Sequence, residues 1–147
     1  MLAMAGSLAS CASLPLVFRS SDPLTADEHA RLGAAYDEQG RGKEAEKQYA
    51  RALVLDSGHA GAWMALGNRA YAAGDLEKAR RCYERVLKLA PGHAAAANNL
   101  AMVYLERGRL DEAKALAEAA LAKEGPLRPY ILDTLARIEE RRSRPAP

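Results

Sequence analysis

The sequence predicts an all-α fold built from stacked pairs of helices. First, many residues recur after 34 positions, and Gly40, Gly74 and Gly108 show this period most clearly. Second, alanine dominates an apolar content of 49%, and alanine is the strongest helix former. Third, the chain has little of the β-branched alternation that is typical of strands. A fixed period of this length indicates repeated supersecondary units rather than one compact globule.

Composition limits the classes of function. The 147 residues suffice for one domain, and the formal net charge is only +2. A nucleic-acid-binding protein usually carries a basic stripe, but here the only basic cluster lies at the C-terminal end, at Arg137, Arg141, Arg142 and Arg144. No stretch is long and apolar enough to span a bilayer as a helix. We therefore expect no nucleic-acid partner.

Each 34-residue copy reads as one helix pair. The copies are residues 26–59, 60–93 and 94–127. Each copy divides at its central glycine into two amphipathic stretches of about three to four turns. In copy two, Trp63, Leu66 and Ala70 recur at spacings of three and four, so they share one helix face. The central glycines suit the left-handed turn that ends a first helix.

These copies resemble the tetratricopeptide repeat. The matching positions in copy two are Trp63, Leu66, Gly67, Tyr71, Gly74, Ala79, Tyr83, Leu87 and Pro91. The resemblance covers residues 26–127, but copy three has Ala97 and Ala117 at the two positions where copy two has large aromatic residues. It implies a right-handed helix-pair solenoid of three repeats, with the first helices along the concave side.

A final helix is expected to close the solenoid. Residues 129–142 resemble the first helix of a fourth repeat, with Leu135 and Ala136 at the Leu-Gly positions after one inserted residue. The segment begins apolar and ends charged, and a solenoid needs a terminal unit with a polar outer face. We therefore expect a repeat domain at residues 25–142 that ends in a capping helix, followed by a disordered tail at 143–147.

The N-terminal segment resembles a bacterial lipoprotein signal. Leu8-Ala9-Ser10-Cys11 matches all four positions of the lipobox, although no basic region and only a short apolar run precede it. The resemblance implies a signal-peptide-like segment at residues 1–10, lipidation of Cys11 and a tether at residues 11–24.

Lipidation of Cys11 predicts where the protein resides. Several acyl chains hold a protein on a membrane far more stably than one chain does. Ala12 follows the cysteine, and by resemblance to Gram-negative lipoproteins a non-acidic residue there implies the outer membrane, facing the periplasm. The alternative is a cytoplasmic protein whose residues 1–24 are disordered.

No pattern in the sequence predicts catalysis, a metal or a cofactor. His59 and His93 occupy the same inter-repeat slot, a whole repeat apart, so we expect turn residues rather than metal ligands. No cysteine pair has zinc-like spacing, and no glycine-rich phosphate loop occurs. Cys82 is expected to be a partly buried, inert thiol. We predict no enzyme and no small-molecule substrate.

The predicted binding surface consists of the inward-facing positions of the first helices. The candidate peptide-groove residues are Met64, Asn68, Tyr71, Asn98, Asn99, Met102, Leu105 and Asp133. The asparagines can donate and accept hydrogen bonds, which suits an extended peptide backbone, and the apolar members offer adaptable contacts. The alternative is that the asparagines are consensus residues of the repeat that pack locally.

The charge of this surface predicts the kind of partner. Co-chaperone members of the family bind a C-terminal carboxylate through Lys, Arg and Asn. Here Ala30 and Met64 stand where basic groups would help, whereas Asp27, Asp37 and Glu38 are acidic. We therefore expect a short, basic partner segment and an affinity of about micromolar.

Three functions are consistent with these features. The first is a lipid-anchored scaffold that supports assembly, secretion or export machinery at the cell envelope. The second is a soluble cytosolic adaptor or assembly chaperone. The third is a regulatory partner of a separately encoded enzyme.

Overall fold

Seven helices and no strand occur in the part of the chain that the computed structural model describes, residues 22–123 and 125–144. The helices are α1 (Ala26–Glu38), α2 (Gly42–Leu55), α3 (Ala60–Ala72), α4 (Leu76–Leu89), α5 (Ala94–Glu106), α6 (Leu110–Leu121) and α7 (Arg128–Ser143). The predicted all-α class is confirmed. None of these seven helices has the length and apolarity that crossing a bilayer requires. The predicted lipobox at residues 8–11 lies outside the described residues.

The helices stack in sequence order as pairs. Within a pair, α1 packs on α2, α3 on α4 and α5 on α6, and α7 covers the last pair through both α6 and α5. Each odd-numbered helix also packs closely against the next odd-numbered helix, whereas α2 and α4 do not pack backbone to backbone and are joined by the ion pair of Glu46 and Lys78. The odd-numbered helices therefore approach one another on the inner side of the stack, as expected for the concave face of a helix-pair solenoid.

A left-handed glycine ends the first helix of each pair, as predicted. Gly40, Gly74 and Gly108 have φ values of 70°, 77° and 73°. At Gly74 an added Cβ would meet nothing within 4 Å, so the backbone conformation rather than space selects glycine. Beyond it, the Asp75 N–H donates to the Ala70 carbonyl at 2.9 Å and closes the turn.

A second glycine position is selected by close packing. A Cβ on Gly67 would lie 2.6 Å from Cε1 of Tyr83, and one on Gly33 would lie 2.7 Å from Cε1 of Tyr49. Copy three has Ala101 where the other copies have this glycine, and its partner on α6 is an alanine rather than a tyrosine. Ala101 and Ala117 both depart from the repeat pattern, and these two departures compensate each other.

Side chains in the loops satisfy the free N–H groups at several helix starts. The Thr25 hydroxyl and the Glu28 carboxylate form a capping box on α1. The sequence predicts His59 and His93 only as turn residues, but they cap α3 and α5. In each case Nδ1 accepts a hydrogen bond from the backbone N–H three residues later, at 3.0 Å for His59 and 3.1 Å for His93. The repeated histidine slot thus has a structural explanation.

In copies one and two, a polar group of the segment before the first helix contacts a side chain of that helix. Asp22 Oδ2 lies 3.0 Å from Nε2 of the fully buried His29. In copy two the Ser57 carbonyl accepts a hydrogen bond from Trp63 Nε1 at 2.9 Å. His29 and Trp63 occupy the same position of the repeat. Each contacts the segment that precedes its helix, through a carboxylate in copy one and a backbone carbonyl in copy two.

The predicted capping helix is α7, which starts one residue earlier and ends one residue later than expected. It buries Ile131, Thr134 and Ile138, whereas its last turn is exposed and charged. Lys114 of α6 pairs with Glu139 at 2.6 Å. The helix therefore supplies an apolar face to the stack and a polar face to solvent.

Candidate functional site

Two adjacent cavities lie on the concave face, where α3, α5 and α7 approach one another. The first, the tyrosine pocket, has a volume of about 330 Å³ and is lined by Asn68, Tyr71, Tyr83, Asn99 and Met102. The second, the cap pocket, has a volume of about 510 Å³ and is lined by Ala95, Asn98, Asn99, Met102, Leu127, Tyr130, Asp133, Thr134 and Arg137. Asn99 and Met102 line both cavities, so we treat the two pockets as one groove.

Hydrogen bonds hold the floor of the tyrosine pocket in place. Asn68 Oδ1 accepts from the Tyr83 hydroxyl at 2.9 Å and from Asn99 Nδ2 at 2.9 Å. Burial raises the pKa of Tyr83 to about 12, so its hydroxyl keeps its proton and remains a donor at neutral pH. The orientation of both amides is therefore determined by their partners.

The other half of each amide is available to a ligand. Asn68 Nδ2 and Asn99 Oδ1 have no hydrogen-bond partner among residues 22–123 and 125–144. One amide thus offers a donor and the other an acceptor at neighbouring points of the groove. A peptide backbone carries both kinds of group on each residue, so this pair suits a backbone running along α3 and α5.

Arg137 and Thr134, which line the cap pocket, are already engaged in hydrogen bonds. Arg137 Nη2 donates to Glu106 Oε1 at 3.2 Å. Burial and the nearby Glu106 carboxylate raise the pKa of Tyr71. The Thr134 hydroxyl donates to the Tyr130 carbonyl at 3.1 Å. These groups shape the pocket and have little hydrogen-bonding capacity left for a ligand.

Besides Asn99 Oδ1, two further acceptors of the cap pocket have no donor among the described residues. Asp133 is exposed, and its carboxylate forms no hydrogen bond or ion pair with any residue that the structure describes. Asn98 is only 7% exposed, and its Oδ1 is buried without a donor. Both are acceptors that line the same cavity.

The structure brings together six of the eight predicted groove residues. Met64 and Leu105 are the exceptions. Met64 is partly buried against the core cluster between α3, α4 and α5 and lines neither pocket. Leu105 is 4% exposed because its face of α5 packs against α6 and α7. Leu105 therefore contributes to the core rather than to the groove surface.

The predicted acidic end of the groove has a different role. Asp27 lies 3.0 Å from His59 Nε2, and Asp37 accepts from the Tyr49 hydroxyl at 2.8 Å and pairs with Arg69. The pair of Asp37 and Arg69 joins copy one to copy two, and the other two contacts lie within copy one, so both carboxylates are engaged within the protein. The unpartnered carboxylate of the groove is Asp133, at the opposite end of the stack.

Sequence reasoning did not assign Tyr83, Leu127 or Thr134 to the groove. The sequence indicates Tyr83 only as a position that matches the repeat, and the residue is 1% exposed. Its hydroxyl reaches the groove because Gly67 leaves room for the ring to pass beneath α3. The conjunction of glycine on the first helix with tyrosine on the second was the signal that could have identified it.

The remaining candidate for chemistry is a cysteine. Cys82 is 4% exposed, and burial raises the pKa of its thiol, which disfavours the reactive thiolate. Within the described ranges, no three His, Cys, Asp or Glu side chains lie close enough together to hold a metal ion.

Comparison with known proteins supports the interpretation of the repeats. Residues 64–129 match the family model described as tetratricopeptide repeat. The fold is similar to that of the first TPR of Spaghetti (RPAP3) bound to the HSP90 peptide SRMEEVD, with a TM-score of 0.74, 18% identity, and coverage of 81% of this chain and 96% of that one. No curated protein matches the sequence.

A second fold relative is the Yersinia enterocolitica type III secretion translocator chaperone SycD. One SycD structure has a TM-score of 0.72 and 19% identity, and covers 81% of this chain and 95% of that one. Another has a TM-score of 0.72 and 18% identity, with coverage of 80% and 86%. The tetratricopeptide-repeat solenoid is thus confirmed as the fold, and the family match supports the predicted resemblance.

Proposed function

We propose that this tetratricopeptide-repeat chain is an interaction scaffold that binds a short, extended segment of a partner protein in the concave groove. The observation that carries the proposal is the amide pair of Asn68 and Asn99. Each amide is oriented by an internal hydrogen bond, and each keeps one group free beside the apolar side chains of Tyr71 and Met102. Backbone contacts of this kind supply affinity, and neighbouring pockets supply specificity.

Both fold relatives support an interaction role. One was solved with a bound peptide, and the other is a chaperone of secretion translocators. At 18–19% identity these likenesses concern the fold, so they support the class of function and do not identify the partner. The two pockets have the size of ordinary ligand cavities, and a groove this short is consistent with an affinity of about micromolar.

Peptide display tests the groove directly. A library of random dodecapeptides is selected on the full-length protein, and the recovered peptides are measured by fluorescence polarisation. We expect Met102→Glu to weaken binding at least about tenfold, because it places a charge among apolar contacts at the junction of the two pockets. Arg81→Glu on the exposed surface of α4 is the matched control and is expected to leave the affinity unchanged. The proposal would be contradicted by peptides whose affinity does not change in Met102→Glu, or by a library that yields no binding peptide.

The cellular setting proposed is the bacterial envelope, with the protein anchored through lipid on Cys11 and supporting assembly, secretion or export. The support is the lipobox pattern at residues 8–11. Metabolic labelling with an alkyne fatty acid tests it in cells that express the gene from its own promoter and start site. Label in the outer-membrane fraction that disappears in Cys11→Ser is the expected result. Unlabelled protein in the soluble fraction would instead favour a cytosolic adaptor or assembly chaperone, whose likeness to SycD is its main support.

A further inference from the structure

We infer that the partner segment places a lysine or arginine side chain in the cap pocket, next to an apolar residue. This inference rests on the proposed function and specifies the ligand of the same groove. It is carried by two acceptors without donors, one exposed and one buried, inside a cavity whose only lining cation is already neutralised.

The exposed acceptor is the carboxylate of Asp133. Several carboxylates elsewhere in the stack are paired with a lysine or arginine, as Glu139 is with Lys114 and Glu106 with Arg137. Asp133 lines the cap pocket, and no cation or N–H of the described residues contacts its carboxylate. A carboxylate at the edge of a partly enclosed cavity attracts a cationic group and repels an anionic one.

The buried acceptor is Asn98 Oδ1. Buried polar atoms in folded proteins nearly always have a hydrogen-bond partner, and one without a partner calls for an explanation. Here the side chain is 93% buried at the wall of a cavity of about 510 Å³, where a ligand could supply the missing donor. Lysine and arginine side chains carry donors and no acceptors, so they match two acceptors better than any neutral side chain does.

The charged groups around the cap pocket agree with this polarity. Arg137 is the cation of the lining, and Glu106 lies 3.2 Å from it, so this pair contributes little net charge. The Thr134 hydroxyl is engaged with the Tyr130 carbonyl. The carboxylate of Asp133 is therefore the uncompensated charge of the described lining.

The apolar walls define the neighbour of the basic residue. Leu127, Met102 and Tyr130 line the same cavity, and Tyr130 is 68% exposed. An exposed aromatic ring beside a carboxylate suits the aliphatic stem of lysine or the plane of arginine as well as an adjacent apolar side chain. The peptide in the RPAP3 structure, SRMEEVD, ends in acidic residues, and the free acceptors of the cap pocket predict the opposite preference here.

An oriented peptide library tests the inference with the full-length protein. Three dodecapeptide libraries carry arginine, glutamine or glutamate at one fixed central position and random residues elsewhere. We expect the best arginine peptide to bind about tenfold more tightly than its glutamate counterpart in 50 mM salt, with a smaller ratio in 500 mM salt.

Variants assign the preference to the two acceptors. Asp133→Asn should weaken the arginine peptide about threefold to fivefold and leave the glutamine peptide unchanged. Glu118→Gln is the matched control, because Glu118 is an exposed carboxylate without a partner in the described residues and lies on α6, outside the groove. Asn98→Leu should weaken binding of the arginine peptide. Asn98→Asp retains an acceptor at this position and should bind the arginine peptide at least as tightly as wild type.

The outcomes separate the inference from the proposed function. Equal binding of the three libraries at a groove that Met102→Glu disrupts would overturn the inference and leave the scaffold function intact. An arginine preference that Asp133→Asn and Asn98→Leu do not reduce would also overturn it. If no library binds, both the inference and the proposed function are wrong.

Discussion

Asn99 Nδ2 donates a hydrogen bond to Asn68 Oδ1 across 2.9 Å and thereby joins α5 to α3. The same oxygen accepts from the Tyr83 hydroxyl of α4, also at 2.9 Å. One side-chain amide thus connects three helices of two repeats and forms the floor of the tyrosine pocket. Stability and ligand recognition therefore depend on the same atoms at this point of the groove.

Loss of the Asn68 acceptor should destabilise the fold through Tyr83. Asn68→Leu leaves the Tyr83 hydroxyl without its acceptor, and an unsatisfied buried donor costs about 1–3 kcal/mol. Tyr83→Phe in the same background removes that hydroxyl and should recover most of the loss. Urea denaturation of both single variants and the double variant measures the coupling. Additive free energies would show that the bond has no energetic role.

Gly67→Ala should destabilise the protein in a way that depends on Tyr83. The new Cβ would lie 2.6 Å from the tyrosine ring and 3.1 Å from Cβ of Cys82, and forcing atoms into a packed core costs about 1–3 kcal/mol. Tyr83→Ala by itself is also destabilising. When Gly67→Ala is added to the Tyr83→Ala variant, however, it should be nearly neutral or stabilising, because alanine favours the helix. Copy three already has this combination, with Ala101 and Ala117 both fully buried. Thermal denaturation of the four proteins checks the prediction, and a loss that is the same with and without Tyr83 would contradict it.

The 34-residue period explains why so much of the fold was predictable. Each glycine turn separates two amphipathic stretches, so the period locates every helix of the three copies within a few residues. The capping box of Thr25 and Glu28 was predictable for the same reason, because it depends on residues three positions apart. These features are local, and local patterns are legible in one sequence.

The groove was less predictable because it depends on contacts between copies. Helix periodicity placed Asp37 and Leu105 on the inner face, but not what each side chain meets there. Arg69 and the Tyr49 hydroxyl bind Asp37, and Leu105 is covered by α6 and α7. Residues from adjacent helices decide which inner positions stay accessible, and the two contacts of Asp37 join positions 12 and 32 residues apart.

Glu77 should make the stability of the inter-repeat contact depend on pH. It accepts from Arg80 at 2.5 Å and from Arg107 at 2.8 Å, and these bonds lower its pKa from 4.5 to about 2. A carboxylate with a lowered pKa in the folded state stabilises the protein above its ordinary pKa, and this contribution is lost as the pH falls from about 4.5 to about 2.

The comparison of Glu77→Gln with wild type isolates this contribution. The variant should be less stable at pH 7, and the difference should shrink below pH 4.5 and vanish near pH 2. Glu118→Gln on α6 removes an exposed carboxylate that has no partner in the described part of the chain, so it serves as the control. Urea midpoints at several pH values provide the measurement. A constant difference between Glu77→Gln and wild type would show that the ion pairs do not stabilise the fold.

Ile138→Ala should loosen the last repeat and the cap pocket without affecting the first repeat. Ile138 is fully buried between α7 and the last helix pair, and truncating such a side chain costs about 2–5 kcal/mol. Since each unit of a solenoid contacts only its neighbours, the loss should stay local, and hydrogen exchange should accelerate in α5, α6 and α7 but not in α1 and α2.

Leu132→Ala on the exposed side of the same helix is the control, with an expected change within about 0.5 kcal/mol. Because α7 carries Tyr130 and Asp133, Ile138→Ala should also weaken peptide binding while Leu132→Ala does not. Uniform acceleration of exchange through all seven helices would instead indicate that the stack unfolds as one cooperative unit.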